Sequence, residues 1–177
     1  SGFIHANIWH LLGNILGIFI FGRVVERKFG TKKTILIYMG AMLISSFGDN
    51  VMGLLQGATH GSLGASGALM GLVATAMLIE PFYITYELLI PMPIMIASWI
   101  TIFADISGVI NPTADGVAHY AHIFGYLSIA LLVYFFDRED RENMKKGFYL
   151  NLISLPIILG VFYIWTNYFS NTLDIIF

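Results

Sequence analysis

The sequence predicts an all-α membrane protein, a polytopic helix bundle with six transmembrane helices, from its composition, its length and its long apolar runs. Of 177 residues, 57% are hydrophobic and only 11% are charged, whereas a soluble domain of this size carries roughly 25% charged residues. One helical span needs about 20 residues, so six spans with short loops use nearly the whole chain. The apolar runs are too long for core strands, which favours helices.

Charged and glycine-rich segments separate the predicted spans. A basic loop from Arg23 to Lys33 follows the first span, a glycine-rich loop precedes the third, and Pro81 ends the third. A short connection covers residues 82–88, a loop with an Asn-Pro turn signal covers 107–116, and a charged loop covers 137–147. The predicted spans, in order, are residues 1–22, 34–55, 66–80, 89–104, 119–136 and 148–169.

The charges also predict the topology. All nine lysines and arginines fall within the loops Arg23–Lys33 and Arg138–Lys146, which six spans place on the same side of the membrane. The positive-inside rule makes that side cytoplasmic. The five histidines and Ser66 then lie at or just below the outer face. Polar groups from distant segments are therefore expected to gather at one depth.

His10 and Asn14 lie four residues apart, on one face of the first span. Polar groups within a membrane are expensive, and an ionisable one suggests function. Hydrogen bonding between helices is the alternative explanation, since such bonds join many membrane bundles.

Ser66 stands in the segment Gly64-Ala65-Ser66-Gly67 and opens the third span. Small residues such as Gly67 and Gly71 permit close helix packing, so a purely structural serine is one interpretation. The position at the start of a helix favours another. Unpaired backbone N–H groups and the helix dipole at that point can hold a developing oxyanion.

His119 and His122 are three residues apart and could bind a metal from one helix face. A zinc site needs three or four ligands, which His5 and His10 could complete in principle. The chain has no cysteine, and the carboxylates of Asp105 and Asp115 are expected in loops. No metal is therefore expected, and Asp49 and Asp105 are interpreted as solvated residues near span ends.

Taken together, these three segments resemble the signature of the rhomboid family of intramembrane serine proteases. That signature has a His-and-Asn segment, a Gly-x-Ser-Gly segment on a later helix and an Ala-His-x-x-Gly segment two helices further on. Here they are His10 with Asn14, Gly64 to Gly67, and Ala121 to Gly125. The resemblance covers residues from about 3 to 136.

The resemblance implies a role for each matching residue. Ser66 would be the nucleophile and His122 its base, in a dyad without a third acid. His10, Asn14 and the Ser66 backbone N–H would form the oxyanion hole. The glycines assigned to helix packing are Gly64, Gly67, Gly71 and Gly125.

The chain departs from the family pattern in several places. Many members have an aromatic residue where this chain has Met70, which can still contact a ring. Ile129 replaces a second glycine on the histidine helix, so Ser128 or Ala130 is expected to provide the close packing. The first core helix of the family is not seen. Residues 1–136 are thus interpreted as a protease core without that helix, and 137–177 as a charged cytoplasmic loop with an additional transmembrane helix.

The leading hypothesis is an intramembrane serine endopeptidase that cuts transmembrane proteins near the outer face of the cell membrane. It needs the lipid bilayer and protein substrates, but no cofactor, metal or nucleic acid. A rhomboid-like protein that binds membrane clients without cutting them is the alternative. A transporter or channel with histidines along a polar path is a third hypothesis, and its conduction would survive the loss of Ser66.

Overall fold

The computed structural model describes residues 7–57, 65–86, 90–112, 117–164 and 167, which are mostly helical. The all-α prediction is confirmed, while the number of membrane-crossing helices stays a prediction. The elements are α1 (Ile8–Gly17), a π-helical turn (Ile18–Gly22), α2 (Arg23–Leu55), α3 (Ser66–Ile79), β1 (Ile84–Thr85), β2 (Met92–Pro93), α4 (Ile94–Ile110), α5 (His119–Leu132), a 3₁₀ turn (Val133–Phe135) and α6 (Arg138–Ile164). The two short strands pair antiparallel, with Ile84 opposite Pro93 and Thr85 opposite Met92.

The segment from Arg23 to Lys33, expected to be a basic loop, is helical on both sides of a break at the single residue Gly30. Gly30 has φ 76° and ψ 165°, a conformation that glycine adopts without steric penalty. The chain reverses direction there. Before the break, Gly17 contacts Leu69 and Gly22 contacts Leu72, so this part runs parallel to α3. After the break the order inverts, since the later contact pairs are Ala41 with Gly71 and Ser45 with Gly67.

Helix α3 lies at the centre of the bundle. Twelve of its 14 residues are buried, between α2, α5 and α6. Its apolar side chains all round the axis are typical of a helix surrounded by other helices. At about 1.5 Å per residue, α3 is roughly 21 Å long, which is shorter than the hydrocarbon core of a bilayer, about 30 Å.

The two charged segments meet at one end of the bundle, as the topology argument predicts. Lys33 Nζ donates to Asp137 Oδ2 over 2.8 Å and also pairs with Asp140. The hydrogen bond from Lys33 lowers the pKa of Asp137 to about 2, and the two aspartates raise the pKa of Lys33. Lys28 pairs with Glu80, just past the end of α3, at 3.4 Å.

Two predicted loops are corrected by the structure. Residues 138–147 form the first turns of α6 rather than a charged loop, and Gly147 packs directly against the backbone of Leu78. Asn151 Nδ2 secures the same contact by donating to the Met77 carbonyl over 2.8 Å. Likewise, α4 continues to Ile110, so that Asp105 lies within a helix and not at its end.

The outer surface is apolar, as expected of a bundle in lipid. Large side chains such as Trp9, Leu43 and Phe47 are 67–78% exposed. Two helical stretches, Ile8–Leu55 and Arg138–Val161, are long and apolar enough to cross a membrane, and the first is divided at Gly30. Helices α3, α4 and α5 are apolar but shorter.

Candidate active site

Ser66 is the first residue of α3 and is partly exposed. No side chain caps this helix, whose preceding residue is Ala65. The N–H groups of a first helical turn have no partner within the helix, and they carry the positive end of the helix dipole. An anion next to Ser66 would therefore be stabilised. Gly64, assigned to helix packing, lies outside the described residues.

Helices α3 and α5 approach closely beside Ser66 and His122. A Cβ atom added at Gly125 would lie 2.3 Å from the Gly67 carbonyl oxygen and 2.9 Å from Met70 Cβ. One added at Gly67 would lie 3.4 Å from the Ala121 carbonyl oxygen. Ser66 and His122 are the chain neighbours of Gly67 and Ala121, so the two helices bring them to the same level. No hydrogen bond joins their side chains among the hydrogen bonds of the described residues.

The glycine pattern continues one turn further into the bundle. A Cβ atom at Gly71 would lie 2.3 Å from Ala41 Cβ and 3.3 Å from Ser128 Oγ. Ser128 is fully buried and donates to the Gly125 carbonyl over 2.7 Å, whereas Ala130 is exposed. Of the two residues expected to replace the second glycine, Ser128 is the one at the helix contact.

The expectation of a solvated Asp105 is wrong. Asp105 is only 4% exposed, because α4 extends beyond it and packs antiparallel against α5. Its Oδ1 lies 2.7 Å from His122 Nδ1 and 2.8 Å from His119 Nδ1. Its Oδ2 accepts a hydrogen bond of 2.8 Å from the Tyr126 hydroxyl. Asp49, also expected to be solvated, is buried as well.

Asp105, His119 and His122 could also hold a metal ion, since their ligand atoms lie within 4.8 Å of one another. Two imidazoles and a carboxylate suit zinc. Zinc ligands at about 2.0–2.1 Å in tetrahedral geometry lie roughly 3.3 Å apart. The two Nδ1–Oδ1 separations of 2.7 and 2.8 Å are instead those of hydrogen bonds. A metal would have to replace these bonds.

A cavity of about 500 Å³ adjoins this cluster. It is lined by His119, His122, Asp105 and Met70, together with residues at the end of α4 such as Ser107 and Asn111. Met70 therefore shares a cavity wall with the His122 ring.

Asn14 lies on α1, whose direction is parallel to that of α3. A Cβ atom at Gly17 would lie 2.6 Å from Leu69 Cδ2, and Asn14 and Ser66 are each one turn before that contact. Asn14 is buried, and its Nδ2 donates to the His10 carbonyl over 2.9 Å. The His10 N–H donates to Asn7 Oδ1 at the start of α1. The amide of Asn14 has two N–H donors, so the bond to His10 uses only one.

Comparison with known proteins identifies the family of this chain. A family model described as the rhomboid domain matches residues 1–139, most of the chain. The chain belongs to the rhomboid family. As a rhomboid with apolar helices on its outside, it is an integral membrane protein.

Several curated relatives carry rhomboid names. RHOMBOID-like protein 4 of Arabidopsis thaliana is 34% identical over 73% of this chain and 31% of its own length. Putative rhomboid protease YdcA of Bacillus subtilis is 29% identical over 73% of this chain and 62% of its own. Rhomboid protease GlpG of Yersinia pseudotuberculosis is 27% identical over 78% of this chain and 46% of its own. The chain thus spans less than two thirds of each relative. No solved structure matches it significantly.

Proposed function

We propose that this rhomboid is an intramembrane serine endopeptidase with Ser66 as nucleophile and His122 as general base. The observation that carries the proposal is the close approach of α3 and α5 at Gly67 and Gly125, immediately beside these two side chains. The printed names of two relatives, Putative rhomboid protease YdcA of Bacillus subtilis and Rhomboid protease GlpG of Yersinia pseudotuberculosis, support the same reaction.

In the proposed reaction, Ser66 Oγ attacks the scissile carbonyl while His122 takes the hydroxyl proton. The tetrahedral oxyanion accepts hydrogen bonds from the Ser66 backbone N–H, from Asn14 Nδ2 and from His10. Collapse of this intermediate breaks the peptide bond, and His122 returns the proton to the leaving amine. Water then attacks the acyl-enzyme by the same route and releases the acid product and Ser66. No metal or organic cofactor takes part.

The proposed substrates are transmembrane proteins cut near the outer face of the membrane. The charged end of the bundle carries Lys28, Lys33 and the start of α6, and Ser66 and His122 lie at the opposite end. If the charged end is cytoplasmic, the catalytic end is extracytoplasmic. We assign the chain to the cell membrane on this basis. The Arabidopsis relatives include proteins named as mitochondrial and chloroplastic, so fractionation of the source cells tests this assignment.

The direct test is cleavage of a model single-span substrate in proteoliposomes by the purified chain and by its Ser66→Ala variant. Ser46→Ala is the matched control, since it removes another hydroxyl from a helix of the same bundle. We expect cleavage by the parent and by Ser46→Ala, and a loss of at least about 10³-fold in Ser66→Ala.

Equal cleavage by the parent and Ser66→Ala would contradict the proposal and indicate another nucleophile. An absence of cleavage by a folded parent would also contradict it. If that folded parent still co-purified with single-span proteins, the client-binding alternative would account for the chain.

A further inference from the structure

From the contacts of α4 with α5, we infer that Asp105 is a positioning residue that holds the His122 ring with its proton on Nδ1 and its Nε2 free to serve Ser66. The inference rests on the proposed function and deepens it. It adds to the Ser-His pair a buried acid from a different helix, which neither the motif nor the comparisons assign.

The first step concerns the tautomer of His122. An ionised carboxylate is an acceptor only, so the bond of 2.7 Å between Asp105 Oδ1 and His122 Nδ1 requires the proton on Nδ1. The neutral ring then has its lone pair on Nε2. Only that tautomer can take a proton from Ser66 at Nε2, because the opposite one already carries a proton there.

The second step concerns what holds Asp105 itself. Its Oδ2 accepts a hydrogen bond of 2.8 Å from the Tyr126 hydroxyl, and its Oδ1 is shared with His119. His119 in turn packs against α4, since a Cβ atom at Gly108 would lie 2.2 Å from His119 Nε2. The carboxylate is therefore fixed at both oxygens, and the His122 ring cannot rotate without breaking the bond to a fixed partner.

The third step concerns the charge that forms during the reaction. His122 becomes an imidazolium once it has taken the Ser66 proton, and a buried cation without a partner is unfavourable. Asp105 is 4% exposed and in direct contact with that ring. A fixed anion at this point stabilises the imidazolium in the transition state and has little effect on substrate binding. The role should therefore appear in kcat and not in KM.

The test compares the parent with Asp105→Asn in proteoliposomes. The asparagine amide can donate to Nδ1 and so favours the wrong tautomer. We expect kcat to fall by about 10²–10⁴-fold, as when the acid of a catalytic triad is converted to its amide, with KM within about threefold of the parent. Tyr126→Phe and His119→Gln remove the other two partners of the same carboxylate, and each should lower kcat by less than about tenfold.

A second measurement keeps the inference testable even if Asp105→Asn does not fold. Nitrogen NMR of the ¹⁵N-histidine-labelled parent in bilayers reads the tautomer, and His122→Ala assigns the signal. We expect a neutral His122 ring with its proton on Nδ1. A ring protonated on Nε2 would overturn the inference, as would a kcat for a folded Asp105→Asn within tenfold of the parent. Equal kcat losses in all three variants would also overturn it, because the cluster would then act only as a structural unit.

The two proposals fail in different ways. If the parent cleaves nothing, the proposed function fails, and the NMR measurement still decides whether His122 carries its proton on Nδ1, as the bond to Asp105 requires. If Ser66→Ala is inactive but Asp105→Asn is as active as the parent, the protease assignment stands and the positioning role is wrong.

Discussion

Asn14 is the single residue through which α1 would contribute most directly to the proposed chemistry. Its side chain is buried at the level of Ser66, and its bond to the His10 carbonyl uses one of two amide N–H donors. A donor aimed at a developing oxyanion in a dry site contributes about 3 kcal/mol to transition-state stabilisation.

We expect Asn14→Ala to lower kcat by about 10²-fold, because one oxyanion donor is lost while Ser66 and His122 remain. Steady-state cleavage in proteoliposomes measures this. Asn50→Ala is a closely matched control. Asn50 also lies on a helix and donates from Nδ2 to the carbonyl four residues earlier, Ser46, but it is exposed. Similar losses in both variants would show that Asn14 acts through helix stability and not through the oxyanion.

At this scale the sequence identifies the residues with local motifs and misses those that depend on long-range contacts. Ser66 and His122 each lie in a short sequence motif, Gly64 to Gly67 and Ala121 to Gly125, that can be recognised without knowledge of the fold. Asp105 has no such pattern. Its contacts lie 14, 17 and 21 residues away along the chain, and they exist only because α4 continues past it and packs on α5. The sequence did offer one signal, because Asp105 is a charged residue in an apolar run. We interpreted it as a solvated residue because the span was expected to end just before it.

Among the elements, α3 and α5 pack so closely that no side chain fits at Gly125. The Cβ position at Gly125 is 2.3 Å from a backbone oxygen of Gly67, and backbone cannot yield as a flexible side chain can. Ser66 and His122 are the chain neighbours of Gly67 and Ala121 at this contact, so in the proposed mechanism its spacing determines whether their side chains can meet.

We expect Gly125→Ala to lower the melting temperature, since overpacking of a close contact destabilises by about 1–3 kcal/mol. Cleavage should also fall, because the helices must separate. The control is Gly160→Ala on α6, where an added Cβ atom meets nothing within 4 Å. It should be neutral or slightly stabilising, as alanine has the higher helix propensity. Thermal melting in detergent with a parallel cleavage assay measures both. An unchanged Gly125→Ala protein would contradict the close approach.

The sequence predicted which segments are helical better than it predicted where each helix begins and ends. Apolar runs and the stop at Pro81 predicted α3 well, since the helix ends at Ile79. Charge alone misled at two places. Residues 23–33 and 138–147 are charged but helical, because solvated charges are compatible with a helix and only Gly30 adopts a left-handed φ. The end of α4 was also predicted too early. The single charge of Asp105 was interpreted as the end of the span, whereas the helix continues to Ile110.

On the scale of the whole molecule, Lys33 connects the reversal of α2 at Gly30 to the start of α6 through ion pairs. Its partners Asp137 and Asp140 are more than 100 residues away along the chain. The prediction that both basic segments share one side of the membrane came from charge counting, and this contact agrees with it.

This contact predicts a pH dependence of stability. The pKa of Asp137 is lowered to about 2 from its ordinary 3.8 by the bond from Lys33. Its contribution is therefore complete above the ordinary value and is lost as the pH falls towards 2. Lys33 has a raised pKa, so its contribution holds below its ordinary value and disappears only in strong alkali.

We expect Asp137→Asn to melt slightly below the parent at pH 6, with a difference that shrinks as the pH falls towards 2. Thermal melts of both proteins in detergent across this range measure the difference. Glu139→Gln, a change at an exposed carboxylate in the first turn of α6, two residues away, is the control. A difference as large at pH 2 as at pH 6 would contradict the ion pair. The effect should be small, since exposed ion pairs contribute little.

The most direct measurement for the central claim is the reaction of the chain with a serine-directed fluorophosphonate, followed by peptide mass spectrometry. We expect one adduct, on Ser66, whose formation is abolished in Ser66→Ala and slowed at least about 10²-fold in His122→Ala, because the unassisted hydroxyl is a weak nucleophile. An adduct on another serine, or labelling of Ser66 at the same rate without His122, would contradict the Ser66–His122 mechanism.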